Sequence, residues 1–212
     1  MKRFRFTLLA IFLLPLCLGI IDLRLVLSNP EPLTITADAL MSQGLPQEWL
    51  IIEEATLDLT QAINLSGELP IEVLFVPLTG SGSSTYQVWV ETRNPQLVKL
   101  ISHYETGFDT VFAKEDFFAA NRSRFYPQRT IQAMAADWIS ANPNKENLLK
   151  LLPAEGLSGQ DPEQAKAHML LLSEGKTPSP MRGSFYLLTG IVGLTLLIRR
   201  WSRTSRQPSA TE

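Results

Sequence analysis

Few residues in this chain have the type and spacing to do chemistry. Three carboxylates, Glu53, Glu54 and Asp58, form one group, and Asp109, Glu115 and Asp116 form another. Such groups could bind calcium through oxygen ligands, but no EF-hand-type loop accompanies them. Solvated acidic surface is the simpler reading, and a catalytic role for Glu53, Glu54 and Asp58 requires a concave pocket lined by them. The two histidines, His103 and His168, have neither a second histidine nor a cysteine nearby. Zinc needs three or four converging ligands, so no metal is expected. His103 with Glu105 could form an acid–base pair, yet two positions apart on a helix they point in different directions.

The loop Gly80-Ser81-Gly82-Ser83-Ser84 is glycine-rich. It lacks the Gly-Lys-Ser/Thr ending of a phosphate loop, and a strand rather than a helix follows it, so it reads as a hairpin connection. No serine sits in a Gly-x-Ser-x-Gly elbow. No catalytic residue and no cofactor is expected. Arg122, Arg124 and Arg129, interleaved with Phe125 and Tyr126, are the one basic cluster in an acidic region. They are candidates for contact with lipid headgroups or an acidic partner, set against a solvated loop. Asn64-Leu65-Ser66 and Asn121-Arg122-Ser123 are formal glycosylation sequons, which matter only in a secretory host.

The elements that must position these residues are clearest at the two ends. Phe6 to Ile21 and Gly183 to Ile198 are uncharged apolar runs of 16 residues each in a chain of 212. Lys2, Arg3 and Arg5 precede the first; Arg199, Arg200, Arg203 and Arg206 follow the second. A bilayer core takes about 20 helical residues. The first run reaches that length if Asp22 and Arg24 sit at the interface. The second does so if Trp201 marks one interface and Phe185 with Tyr186 the other.

Ser28 to Arg182 carries 11 basic and 19 acidic residues, a net charge of −8. The positive-inside rule then gives a cell (inner) membrane protein with both termini cytoplasmic and a periplasmic or extracellular centre. The boundaries are a cytoplasmic N-terminus over 1–5, a membrane helix over 6–27, an outside domain over 28–182 folded from about 34 to 176, a second membrane helix over 183–201, and a basic cytoplasmic tail over 202–212. Within the second helix, Thr189, Gly190 and Gly193 could form a packing seam against the first helix or another subunit. A competing reading makes the first segment a cleaved signal peptide, for which Cys17-Leu18-Gly19 is a poor site. Leu16 argues against a lipoprotein at Cys17. The outside region contains no thiol, so its core alone must hold it.

That region reads as α+β, with a small mixed or antiparallel sheet and several helices. Strands are expected near Trp49 to Ala55, at Ile71 to Val76 and Tyr86 to Thr92 around the glycine loop, and at Met169 to Leu172. Asn94-Pro95 caps a helix bearing Leu97, Val98, Ile101 and Tyr104. Asn142-Pro143 caps another, and Asp161 to Gln164 resembles a capping box. The spacing of Ile131, Met134, Ala135, Trp138 and Ile139 predicts a helix over Gln128 to Ser140.

A helix at each end of one outside domain is similar to the layout of the surfeit-locus family of cytochrome oxidase assembly factors. Phe75-Val76-Pro77-Leu78, a loop, and Val88-Trp89-Val90-Glu91 echo its strand–loop–strand. Thr92-Arg93-Asn94-Pro95 stands where that family has Asn-Arg-Gly-Trp-Val, so no residue role carries over. The expected partners are the lipid bilayer and other membrane or envelope proteins. The expected role is a non-enzymatic interaction or assembly module, with a membrane-tethered enzyme on lipid or envelope substrates as the alternative. The negative domain would repel phosphates, so no nucleic acid is expected.

Overall fold

The structure is a computed structural model that describes residues 2–65, 67, 70–80, 84–135, 143–151 and 166–204. It comprises two compact units, 1–30 with 178–212, and 31–177.

The first unit is a pair of helices, α1 (Lys2–Ser28) and α7 (Pro180–Thr204). Each contains 23 residues apolar enough to cross a membrane, Phe6–Ser28 and Pro180–Ser202. They pack closely because glycines remove side chains where the backbones meet. A Cβ on Gly19 would stand 2.4 Å from the Leu187 nitrogen, and one on Gly190 would stand 2.6 Å from the Leu16 Cβ. Gly193 abuts Phe12 and Gly183 abuts Asp22. Pairing of Leu16 with Gly190 and of Asp22 with Gly183 makes the helices antiparallel. At the end where α7 begins, the Arg182 Nε and Nη2 donate to the Asp22 carboxylate at 2.7 and 2.9 Å. Pro15 lies inside α1, as neighbouring helices permit in apolar surroundings.

The second unit is α+β with a mixed sheet. Its strands are β1 (Leu33–Thr36), β2 (Trp49–Leu57), β3 (Leu74–Thr79), β4 (Gln87–Thr92), β5 (Gln128–Ala135) and β6 (Met169–Glu174). Their order is β1-β2-β3-β4-β6-β5, and β5 pairs again with β2. Five strands thus close into a small barrel, which removes most of the sheet edge. β1 lies parallel on β2 and β4 lies parallel to β6; the other neighbours are antiparallel.

Alternating apolar positions fill the enclosed core. Leu50 and Ile52 of β2, Leu74 and Val76 of β3, Val88 and Val90 of β4, Ile131 and Ala133 of β5 and Leu172 of β6 belong to one buried cluster. Helices α3 (Pro95–Thr106), α4 (Val111–Ala120) and α5 (Arg122–Phe125) connect β4 to β5; α3 adds Leu97, Leu100 and Ile101 to that cluster, α5 adds Phe125, and Phe117 and Phe118 of α4 pack against it half-buried. As the Asn-Pro pair implies, the Asn94 side chain caps α3 by accepting from the Gln96 amide. β4 is buried on both faces, because Phe75, Trp89, Met169 and Leu171 form a second cluster outside the barrel with Leu148 of α6 (Pro143–Leu151).

The helix expected over Gln128 to Ser140 is corrected: Gln128–Ala135 is strand β5. Arg129, Ile131, Ala133 and Ala135 share one face, and Gln128, Thr130 and Gln132 the other. Pairing with β2 on one edge and β6 on the other fixes that period of two. Ile131, Met134 and Ala135 match a helical stripe only because alanine serves equally as a helix former and as a small barrel-interior residue. Trp138 and Ile139, the Asp161 to Gln164 capping box, and Asn142 lie outside the described residues.

Candidate functional site

β2 has a break at Glu54. Its first part, Leu50 to Glu53, pairs with β1, and its last residues, Thr56 and Leu57, pair with β3. On the other edge the ladder with β5 shifts between Ile52 and Ala55. Glu54 therefore has no ladder partner on either side. Its backbone takes φ +54, the left-handed conformation, which costs a residue with a Cβ about 1–2 kcal/mol. The bulge lets both Ile52 and Ala55 point into the core while two successive glutamates stay outside.

A cleft of about 400 Å³ opens at this break. Glu54 and Thr56 line it from β2, Thr36 and Asp38 from the junction of β1 with α2 (Ala37–Gln43), Thr79 and Gly80 from the end of β3, and Gln128 from the start of β5. Local sequence builds this wall. Thr36 caps α2 through its hydroxyl, which accepts from the Ala39 amide at 3.3 Å. The Thr79 hydroxyl donates to the Thr56 carbonyl at 3.3 Å. Gly80 is held without a side chain, since a Cβ there would stand 2.8 Å from the Asp38 carboxylate and closer still to Met41. Among the described residues nothing hydrogen-bonds or ion-pairs with the Glu54 side chain. The described lining thus offers two carboxylates, three hydroxyls and one amide, and no cationic side chain.

The three carboxylates grouped by sequence do not converge. Both Glu53 and Glu54 are exposed at the bulge, and of the two only Glu54 lines the cleft. Asp58 is buried and caps the short 3-10 turn at Leu59–Gln61, accepting from the Thr60 amide and from the Gln61 side chain at 2.8 Å. Asp38 takes the place expected of its neighbours. The signal for it lay in the strand pattern: apolar positions run 50, 52, then 55, 57, and that phase change marks a bulge at Glu53-Glu54.

The arginines also separate. Arg122 and Arg124 are exposed on α5, where Arg124 donates to the Asn121 side chain at 3.0 Å. Arg129 shares the inward face of β5 and pairs with Glu174 of β6 at 2.7 Å. The Thr92 hydroxyl donates to that same carboxylate and accepts from the Asn94 amide at 3.1 Å. His103 is packed between the rings of Phe108 and Phe117, while Glu105 pairs with Lys114 at 3.1 Å. Of the packing residues in α7, Gly190 and Gly193 face α1, and Thr189 is exposed with its hydroxyl donating to the Phe185 carbonyl. The loop at 81–83 lies outside the described residues.

A second cleft of about 400 Å³ lies beside β3, between Asn64, Glu72, Phe75, Glu91, Arg93 and Asn147. Glu91, with its side chain 9% exposed, accepts from the Ser173 hydroxyl at 2.8 Å and pairs with Arg93. Its carboxylate is thus engaged by groups of the chain itself. Elsewhere, Val111 and Phe112 stand exposed at the start of α4, which buries none of its residues. Among the described residues no group of three or more His, Cys, Asp or Glu side chains could hold a metal ion. No family model, curated protein or solved structure matches the chain.

Proposed function

We propose that the chain is a two-pass membrane protein whose α+β unit is a non-enzymatic interaction or assembly module for other membrane or envelope proteins. The observation that carries the membrane part is the outer surface of the helix pair. The glycine faces are spent on each other, while Phe6, Ile11, Leu14, Phe185, Leu188 and Ile198 among other large apolar side chains are exposed. A soluble protein buries such side chains, and contiguous apolar surface of this kind suits lipid. The antiparallel arrangement supports the orientation read from charge. It brings the basic positions before Phe6 and after Ile198 to one end of the pair, as the positive-inside rule requires of a cytoplasmic face.

The module part is supported by the cleft at Glu54 and by the exposed Val111 and Phe112, which suit contacts with a partner better than catalysis. The alternative of an enzyme drew on Glu53, Glu54 and Asp58 acting together, and these point to different places. The test is a reporter active only outside the cytoplasm, fused after Lys176 and separately after Glu212, with the mature mass read in parallel. Activity at Lys176 alone, with full-length mass, is the expected result. Activity at both sites, or a mass lower by the first segment, overturns the two-pass reading.

A further inference from the structure

We propose that the helix pair is matched to lipid with short acyl chains and selects it from a bilayer of ordinary thickness. This rests on the two-pass reading and names the kind of bilayer that the apolar surface of the pair fits. On α1 the charge-free run Phe6 to Ile21 ends at Asp22, and on α7 the run Gly183 to Ile198 lies between Arg182 and Arg199. The two runs are equal in length and in register. Phe12 faces Gly193, Leu16 faces Gly190 and Asp22 faces Gly183, so the same register sets Arg199 level with Phe6. Each run of 16 helical residues spans about 24 Å, against the ~30 Å of an ordinary hydrocarbon core.

The side chains at both ends agree with that short span. Where α7 begins, Arg182 donates to both oxygens of Asp22 at 2.7 and 2.9 Å, and Arg24 stands exposed two residues on. Asp22 is short and held by that guanidinium, so it cannot carry its charge outward as a long, free side chain does. Phe185 and Tyr186 lie near this level and Trp201 near the opposite one, with Tyr186 and Trp201 about 22 Å apart along the helix axis. Aromatic residues favour the two faces of a bilayer. Between these levels Ile11, Leu14, Leu18, Leu188, Ile191 and Leu196 form the exposed apolar belt. A belt shorter than the bilayer gains nothing by tilting, which shortens its reach along the membrane normal. The interlocked glycine contacts also keep the helices from sliding apart to lengthen it. Short-chain lipid around the belt removes the mismatch without deforming the bilayer.

The experiment uses the full chain labelled with bimane at Cys17, its one cysteine, which is exposed on α1. The protein is reconstituted into vesicles holding a fixed fraction of nitroxide-bearing phosphatidylcholine as quencher. The remainder is dimyristoleoyl, dioleoyl or dierucoyl phosphatidylcholine, in order of increasing thickness. The lipid that competes best for the belt excludes the quencher and leaves the label brightest, relative to the same vesicles without quencher. The expected order of competition is dimyristoleoyl, dioleoyl, dierucoyl, with about threefold between the first and the last. Asp22→Leu combined with Arg182→Leu carries the apolar belt outward toward Arg24 and should move the best competitor to dioleoyl phosphatidylcholine.

Equal quenching in the three lipids, a longer-chain lipid as best competitor for the wild type, or the wild-type order in a variant that reconstitutes overturns the thickness match and leaves the two-pass reading standing. If the variant does not reconstitute, the wild-type series decides alone. No quenching in any of the vesicles overturns the membrane placement of the helices, and the thickness match with it.

Discussion

Glu54 holds a left-handed backbone that glycine would adopt without strain. Glu54→Gly is therefore expected to stabilise the α+β unit by up to about 1 kcal/mol, net of the extra freedom glycine has when unfolded. In thermal melting this is a rise of roughly 2–4 °C for a unit of this size. A lower melting temperature would show that the glutamate side chain supports the fold instead. On the inward face of β5, Arg129 pairs with Glu174, and their side chains are only 24% and 18% exposed. Arg129→Met leaves the Glu174 carboxylate with the Thr92 hydroxyl alone and should lower stability by about 1–3 kcal/mol in denaturant unfolding. An unchanged midpoint would show that water replaces the guanidinium at no cost.

At the scale of elements, the helix pair combines steric fit with one ion pair. The Asp22 side chain is 9% exposed and that of Arg182 is 56% exposed. Asp22→Arg sets two guanidiniums against each other beside Gly183, and should destabilise the pair by about 2–3 kcal/mol, less than the ~3–5 of a fully buried pair. Adding Arg182→Asp should restore much of the loss, read as recovery of melting temperature in detergent. A double variant as weak as the single one would show that the glycine contacts alone hold the pair. β5 teaches a related lesson about elements. Its residues carry a helical stripe and a strand alternation at once, and the partners on both edges decide between them. β4 differs in the opposite way: its alternation was visible in Val88 and Val90, yet α6 buries its other face as well.

At the scale of the molecule, both buried clusters of the barrel draw on residues within 31–177 alone. A fragment spanning Glu31 to Thr177 is thus expected to fold without the helices and to melt cooperatively, near the temperature of the same unit in the full chain. Circular dichroism of the purified fragment checks this. Loss of the cooperative transition would mean that the terminal helices contribute to the fold of the barrel.

The sequence by itself determined the features that depend on neighbours along the chain. Apolar run length marked Phe6 to Ile21 and Gly183 to Ile198 as helices of membrane-spanning character, basic flanks suggested their orientation, and Asn94-Pro95 announced the start of α3. These signals are local, so one sequence suffices to read them. The tertiary structure decided what depends on residues distant in sequence. Closure of the barrel requires β2 to meet β5, some 80 positions away, and that pairing turned a helical stripe into a strand. It alone assigned Asp58 to a cap, Arg129 to Glu174, and Glu54 to a cleft shared with Asp38 and Gln128. A side chain's type sets what chemistry it can do, while its surroundings, assembled by long-range pairing, set which of those roles it takes.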